Sequence, residues 1–273
     1  MRGEFLDVNG ARLYYYAAGS RGAGEPVVLL HGFPTSGHLW RDVVPLLPAG
    51  HRVVVSDLLG FGRSDPARGS AMDVRAHAAR VVALIDQLRI DRACFVGHEL
   101  GGGVAQALAI EWPDRVSRLC LVDSVAFAVR PPRALRLARA LLPITRLLSQ
   151  SVLRSFLRSE LIRGFVDHEA GSHDLDVFLR AFESEDGRDS LIAQIAALEP
   201  SVTKELSARL DRIAVPSAVV CGAHDPFVPR SVGERLATSI PGCALTIVPD
   251  ARHFSPLDTP HAVAGAITAL LAR

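Results

Sequence analysis

Lysine is nearly missing from this chain: of 30 basic residues only Lys204 is lysine. We read that as genomic codon bias, not chemistry. Charge of one sign is missing too. With 30 basic and 29 acidic residues the formal net charge is +1, so no basic field points to nucleic acid. No run of 18 or more apolar residues occurs, and no membrane-spanning helix is expected. The opening MRGEFLDVNG has no apolar core, so no signal peptide is expected either. Cysteine is sparse. Cys94, Cys120, Cys221 and Cys243 lie far apart in or beside apolar runs, and read as buried free thiols in the reducing cytoplasm. No His/Cys/Asp/Glu spacing matches a metal site, and no cofactor is expected.

What remains is globular composition: 273 residues, 49% hydrophobic and 22% charged. The length fits one large domain with an insertion. Runs at 4–8 and 12–17 form a hairpin across Asn9-Gly10, the type I′ signature. Continuous β-rich runs at 26–30, 52–56, 92–96, 118–122, 217–220 and 244–248 suit parallel strands buried on both faces. Helical patterns at 73–88, 100–112, 230–239 and 261–271 alternate with them. Strand–helix alternation means a doubly wound α/β sheet. It breaks at 125–210, which reads as helical throughout. From 130 to 163 there are eight arginines and one acid; from 167 to 189, eight acids and two arginines. Solvated faces that pair with each other account for this; a membrane-surface role for the basic, Leu-rich half is the sharper alternative.

The strongest local signal is Gly97-His98-Glu99-Leu100-Gly101, after an expected strand and before an expected helix. That is the setting of a nucleophile elbow, where a side chain at either glycine would strike a neighbouring element. The helix N-terminus would hold the Glu99 carboxylate ionised. Asp225 follows the fifth parallel run and His253 the sixth, giving the order nucleophile, acid, histidine. Asp123, ending the fourth, is the alternative acid. Gly101-Gly102-Gly103 has no following lysine and is not a phosphate loop.

On these three signals and their order the whole chain resembles the α/β-hydrolase superfamily. His31-Gly32-Phe33-Pro34, Leu39-Trp40-Arg41 and Asp57-Leu58-Leu59-Gly60-Phe61-Gly62 are similar to the haloalkane dehalogenase and epoxide hydrolase branch. The resemblance implies an α/β-hydrolase fold: a mostly parallel eight-stranded sheet, helices on both faces, and a helical cap. The core would comprise 1–124 and 211–273, with the cap at 125–210. It implies a hydrolase acting on a small hydrophobic substrate through an ester intermediate, epoxide-hydrolase-like. Glu99 would be nucleophile, His253 base and Asp225 its partner, with Phe33 and Leu100 amides as oxyanion hole. His31, Trp40 and Phe254 would line the pocket, although His31 reads first as a hydrogen-bonded structural residue and Trp40 as a core anchor. No nucleic-acid partner is implied, and a homodimer is compatible with the sequence.

The departures are specific. Glutamate stands where the branch has aspartate, one methylene longer. Dehalogenase halide donors at 33 or 100 are absent, and so are the fluoroacetate dehalogenase arginines after the elbow. All three tyrosines, Tyr14, Tyr15 and Tyr16, lie in the hairpin, so no cap tyrosine can protonate an epoxide. His168 or His173 could do so, but each reads first as a surface residue. Two alternatives follow: a non-hydrolytic acid–base enzyme (isomerase, cyclase or lyase) on this fold, or an idle ligand-binding member. Glu99 could also fold back into the Phe33 and Leu100 amides, or pair with protonated His253.

Overall fold

A computed structural model describes residues 3–19, 24–198 and 200–273, leaving Met1 and Arg2 of the opening segment outside. Eight strands form one sheet: β1 (Glu4–Val8), β2 (Ala11–Ala18), β3 (Val27–Leu30), β4 (Val53–Ser56), β5 (Ala93–His98), β6 (Val116–Val122), β7 (Ser217–Gly222) and β8 (Ala244–Val248). Their order is β1-β2-β4-β3-β5-β6-β7-β8. β1 and β2 run antiparallel, and β2 pairs antiparallel with β4; the other pairs are parallel. Asn9 and Gly10 both take positive φ (56° and 82°), as a type I′ hairpin turn requires.

The central strands β3, β4, β5 and β7 are buried along their whole length. Such strands need helices on both faces, because parallel strands have no side left for water. Those helices are α1 (Val74–Gln87) and α2 (Leu100–Glu111), then, beyond the insertion, α9 (Arg230–Ser239), α10 (Ser255–Asp258) and α11 (Pro260–Leu271). Asp73 caps α1 by accepting from the amides of Arg75 and Ala76, which sets where that helix starts.

The stretch expected to be helical is so: α3 (Arg133–Ala140), α4 (Leu142–Thr145), α5 (Gln150–Leu161), α6 (His168–Leu179), α7 (Glu185–Ala197) and α8 (Pro200–Ser207) lie between β6 and β7. Part of its charge asymmetry resolves as pairing. Arg154 meets Glu183 at 2.9 Å, Arg158 meets Asp176, and Arg163 meets Glu160 at 3.4 Å. Asp174 ties α6 to the core through Arg41 (2.6 Å) and His38 (3.0 Å). Cys94, Cys120 and Cys221 are buried thiols, whereas Cys243 is only half-buried. No helix among the described residues is long and apolar enough to cross a membrane.

Candidate active site

The turn from β5 to α2 places Glu99 at φ 49°, ψ −111°. A non-glycine residue holds such a conformation only where its surroundings impose it. Here they do. A Cβ on Gly97 would lie 2.2 Å from the Gly101 carbonyl oxygen, and one on Gly101 would lie 2.4 Å from that of Leu30. Helix, turn and strand approach so closely that both positions must be glycine.

Glu99 Oε2 accepts two backbone hydrogen bonds, from Phe33 N–H at 2.7 Å and from Leu100 N–H at 2.6 Å. The carboxylate thus occupies the amide pair anticipated as an oxyanion hole. Its other oxygen, Oε1, makes no hydrogen bond among the described residues, and Glu99 lines a cavity that His253 also lines. Burial pushes the Glu99 carboxyl up from its ordinary value, against the pull of His253 and the two amides. This differs from the sequence expectation of a carboxylate simply held ionised by the helix end. Desolvation outweighs the amides.

His253 Nδ1 donates to Asp225 Oδ2 at 2.8 Å. Asp225 Oδ1 accepts from the amides of Phe227 (2.7 Å) and Val228 (3.0 Å), which locks the carboxylate on its own loop. Burial alone would lower His253, but the charge of Asp225 and its hydrogen bond, then Asp123 and Glu99, raise it to about 9. No hydrogen bond joins His253 to Glu99 among the described residues. They face the same cavity without being locked together.

Asp123, the alternative acid, does not meet His253. Its Oδ1 accepts from Gly222 N–H at 2.8 Å and its Oδ2 from the Ser255 hydroxyl at 2.5 Å, so both oxygens are engaged elsewhere. Burial first, and the charge of Asp225 next, push it up to about 8.

The cavity is walled by Phe33, Phe61, Leu135, Leu157, Leu161 and Phe227, with Asp73, Arg130, Glu160, Gln194 and Thr203 as its polar members beside Glu99 and His253. His31, Trp40 and Phe254, expected as lining, are not part of it. His31 is fully buried: its Nδ1 donates to the Gly32 carbonyl at 2.9 Å and its Nε2 accepts from Leu58 N–H at 2.9 Å. It shapes the loop that carries Phe33 and lies behind the cavity wall. Trp40 is fully buried in the core. Phe254 is likewise buried, its ring stacked on Phe165 with centroids 4.2 Å apart. Apolar residues next to a site in sequence can turn to either side of a layer, and these turn inward. His168 and His173 are exposed and absent from the cavity wall.

Sequence reasoning missed two neighbours of His253. Buried His98 donates from Nε2 to the His253 carbonyl at 2.8 Å. Phe227 presents its ring edge-on to the imidazole, centroids 5.0 Å apart. The motif offered a signal for the first, since His98 sits one residue before Glu99. For Phe227 the signal was its place two residues after Asp225. A third link crosses from the insertion: the Gly164 carbonyl accepts from the amides of His253 (3.0 Å) and Phe254 (3.2 Å). Among the described residues no group of three or more His, Cys, Asp or Glu could hold a metal ion.

Residues 25–260 match the alpha/beta hydrolase fold family. Haloalkane dehalogenase 2 of Mycobacterium tuberculosis is 28% identical over 272 residues, covering 97% of this chain and 93% of its own. The 2-hydroxy-6-oxononadienedioate/2-hydroxy-6-oxononatrienedioate hydrolase of Klebsiella pneumoniae is 29% identical, covering 92% and 89%. Among solved structures, the epoxide hydrolase CorEH aligns with a TM-score of 0.85 at 24% identity, covering 99% of this chain and 98% of its own. At that identity the likeness speaks to the fold.

Proposed function

The chain belongs to the α/β-hydrolase fold family and is a hydrolase of that superfamily; from this we propose that it works through a carboxylate nucleophile, Glu99, on a small hydrophobic substrate, with epoxide opening as the reaction. In this reading Oε1 attacks a ring carbon. The ring C–O bond breaks, an ester joins Glu99 to the substrate, and the alkoxide takes a proton from solvent. His253 then removes a proton from water, which attacks the carbonyl carbon of the ester. Negative charge develops on Oε2, where the Phe33 and Leu100 amides already point. Collapse releases a diol and returns the carboxylate. Asp225 holds the imidazole with Nε2 free for water. Residues 125–210 serve as the cap over a core of 1–124 and 211–273.

The observation that carries this reading is the division of labour between the two oxygens of Glu99. Folding back into the amides does not idle the carboxylate: it fixes one oxygen where an oxyanion must be stabilised and leaves the other unbonded. The electrostatics of His253 fit the second step. Esterification removes one of the negative charges that hold its proton, so the imidazole becomes more readily a base once there is an ester to cleave. The apolar cavity wall suits a hydrophobic substrate.

The test is interception of the ester. His253→Gln, incubated with a panel of aliphatic and aromatic epoxides and haloalkanes, should accumulate a covalent adduct on the peptide containing Glu99, read by mass. Absence of adduct across the panel, with parent turnover of any member, would refute the nucleophile role.

A further inference from the structure

The insertion carries a surface that hydrolysis does not explain. Leu137, Leu141, Ile144 and Leu147 are 60%, 43%, 57% and 83% exposed, four of the ten exposed large hydrophobic side chains among the described residues and all within eleven residues of chain. Solvent-exposed apolar residues scattered singly need no explanation, but a contiguous stripe does. Leu137 stands on α3 and Ile144 on α4, with Leu141 at the break between the two helices and Leu147 in the turn just past α4. Thr145 holds the two helices together, its hydroxyl donating to the carbonyls of Ala138 (2.7 Å) and Leu141 (3.1 Å). The stripe is therefore built into a folded element.

The charges beside it are mostly of one sign, with Glu160 of α5 sharing a groove with Leu137, Arg133 and Arg163. Residues 130–159 contain seven arginines and no acid. Arg154 and Arg158 are taken by Glu183 and Asp176, and Arg139 donates to the Ala196 carbonyl. Arg130, Arg133, Arg136 and Arg146 have no carboxylate partner among the described residues. The acidic half of the insertion thus pairs with the arginines of α5 and leaves α3 and the flanks of α3 and α4 basic. Leucine and isoleucine at the centre with arginines around them suit the boundary of an anionic bilayer, where apolar side chains enter the acyl region and guanidinium groups meet lipid phosphates.

We infer that α3 and α4 form an interfacial docking surface for an anionic lipid membrane. The chain immediately before the stripe, through Val129, Arg130, Pro131, Pro132 and Leu135, is cavity wall. Docking would set that wall against the bilayer, from which a hydrophobic compound can pass directly. The surface is independent of what Glu99 does.

The experiment is co-sedimentation of the full chain with vesicles of phosphatidylcholine alone or containing about one third phosphatidylglycerol. Expected is binding to the anionic vesicles, weakened by high salt and absent with phosphatidylcholine alone. Ile144→Ser/Leu147→Ser should weaken it by about tenfold or more, and Arg136→Gln by about fivefold, the worth of one arginine at such a surface. Circular dichroism of each variant checks that substitution at these exposed positions leaves the fold intact. No sedimentation with either vesicle overturns the proposal. So does a concentration-dependent dimer in analytical ultracentrifugation that Leu147→Ser dissolves, since the stripe would then be an interface between copies.

Discussion

The loops after β6 and β7 each begin with a buried aspartate, and the two residues behave differently. Asp225 spends one oxygen on the amides of its own turn and keeps the other for His253. Asp123 spends one oxygen on Gly222 of the neighbouring strand and the other on Ser255. Both stand within range of the imidazole charge, yet one is aimed and the other is tied off. Proximity to a histidine does not make a triad member. The free lone pair does, and that is set by what the other oxygen is bonded to.

Exchange of each carboxylate for its amide sharpens this contrast most. Asp225→Asn should lower kcat by about a thousandfold or more, because the amide cannot hold the same tautomer. Asp123→Asn should cost less than about tenfold. Equal losses, or the reverse order, would dissolve the distinction. Next is the route of oxygen. Single turnover in ¹⁸O water with enzyme in excess should leave label in the Glu99 carboxylate. Label only in product would favour direct attack by water or an acid–base reaction.

The pH dependences separate the two loops as well. His253 must lose a proton to act as base, so the rate of ester hydrolysis in the parent should climb with pH and level off below about 9, because the ester lacks the Glu99 charge that helps hold that proton in the free site. Asp123 acts on stability. With its carboxyl raised to about 8, folding favours the protonated form. That stabilisation is complete below about pH 4 and disappears as pH rises through 8. Melting temperature should fall over that interval, and Asp123→Asn should flatten the decline. The smallest effect expected is Ser255→Ala, which removes one hydrogen bond to Asp123 and should cost about 1 kcal/mol by denaturant titration.

Much of the architecture was legible because buried parallel strands are written as unbroken apolar runs, and each chemical residue stood at the end of one. Gly97, Glu99 and Gly101 announced the elbow by backbone necessity. The choice between Asp123 and Asp225 rested on topology alone, since hydrogen-bond partners such as Gly222 and Ser255 come from distant chain. The cavity wall was the least legible part. Phe61 and Phe227 line it while Trp40 and Phe254 fill the core, and nothing in an aromatic residue's sequence neighbourhood says which way its ring will turn. The basic half of the insertion was visible as composition, but only the pairing of Arg154 and Arg158 revealed which arginines were left over.

The Gly164 carbonyl has one further consequence. It receives two amides from the histidine loop, and a Cβ there would lie 2.8 Å from ring atoms of both Phe227 and Phe254. On the proposed reading, in which the insertion is the roof and His253 the base, the two form a single mechanical part. Grafting a foreign lid onto this scaffold to change its substrate range would dislodge the imidazole unless the donor brought a bare backbone to that same point of contact.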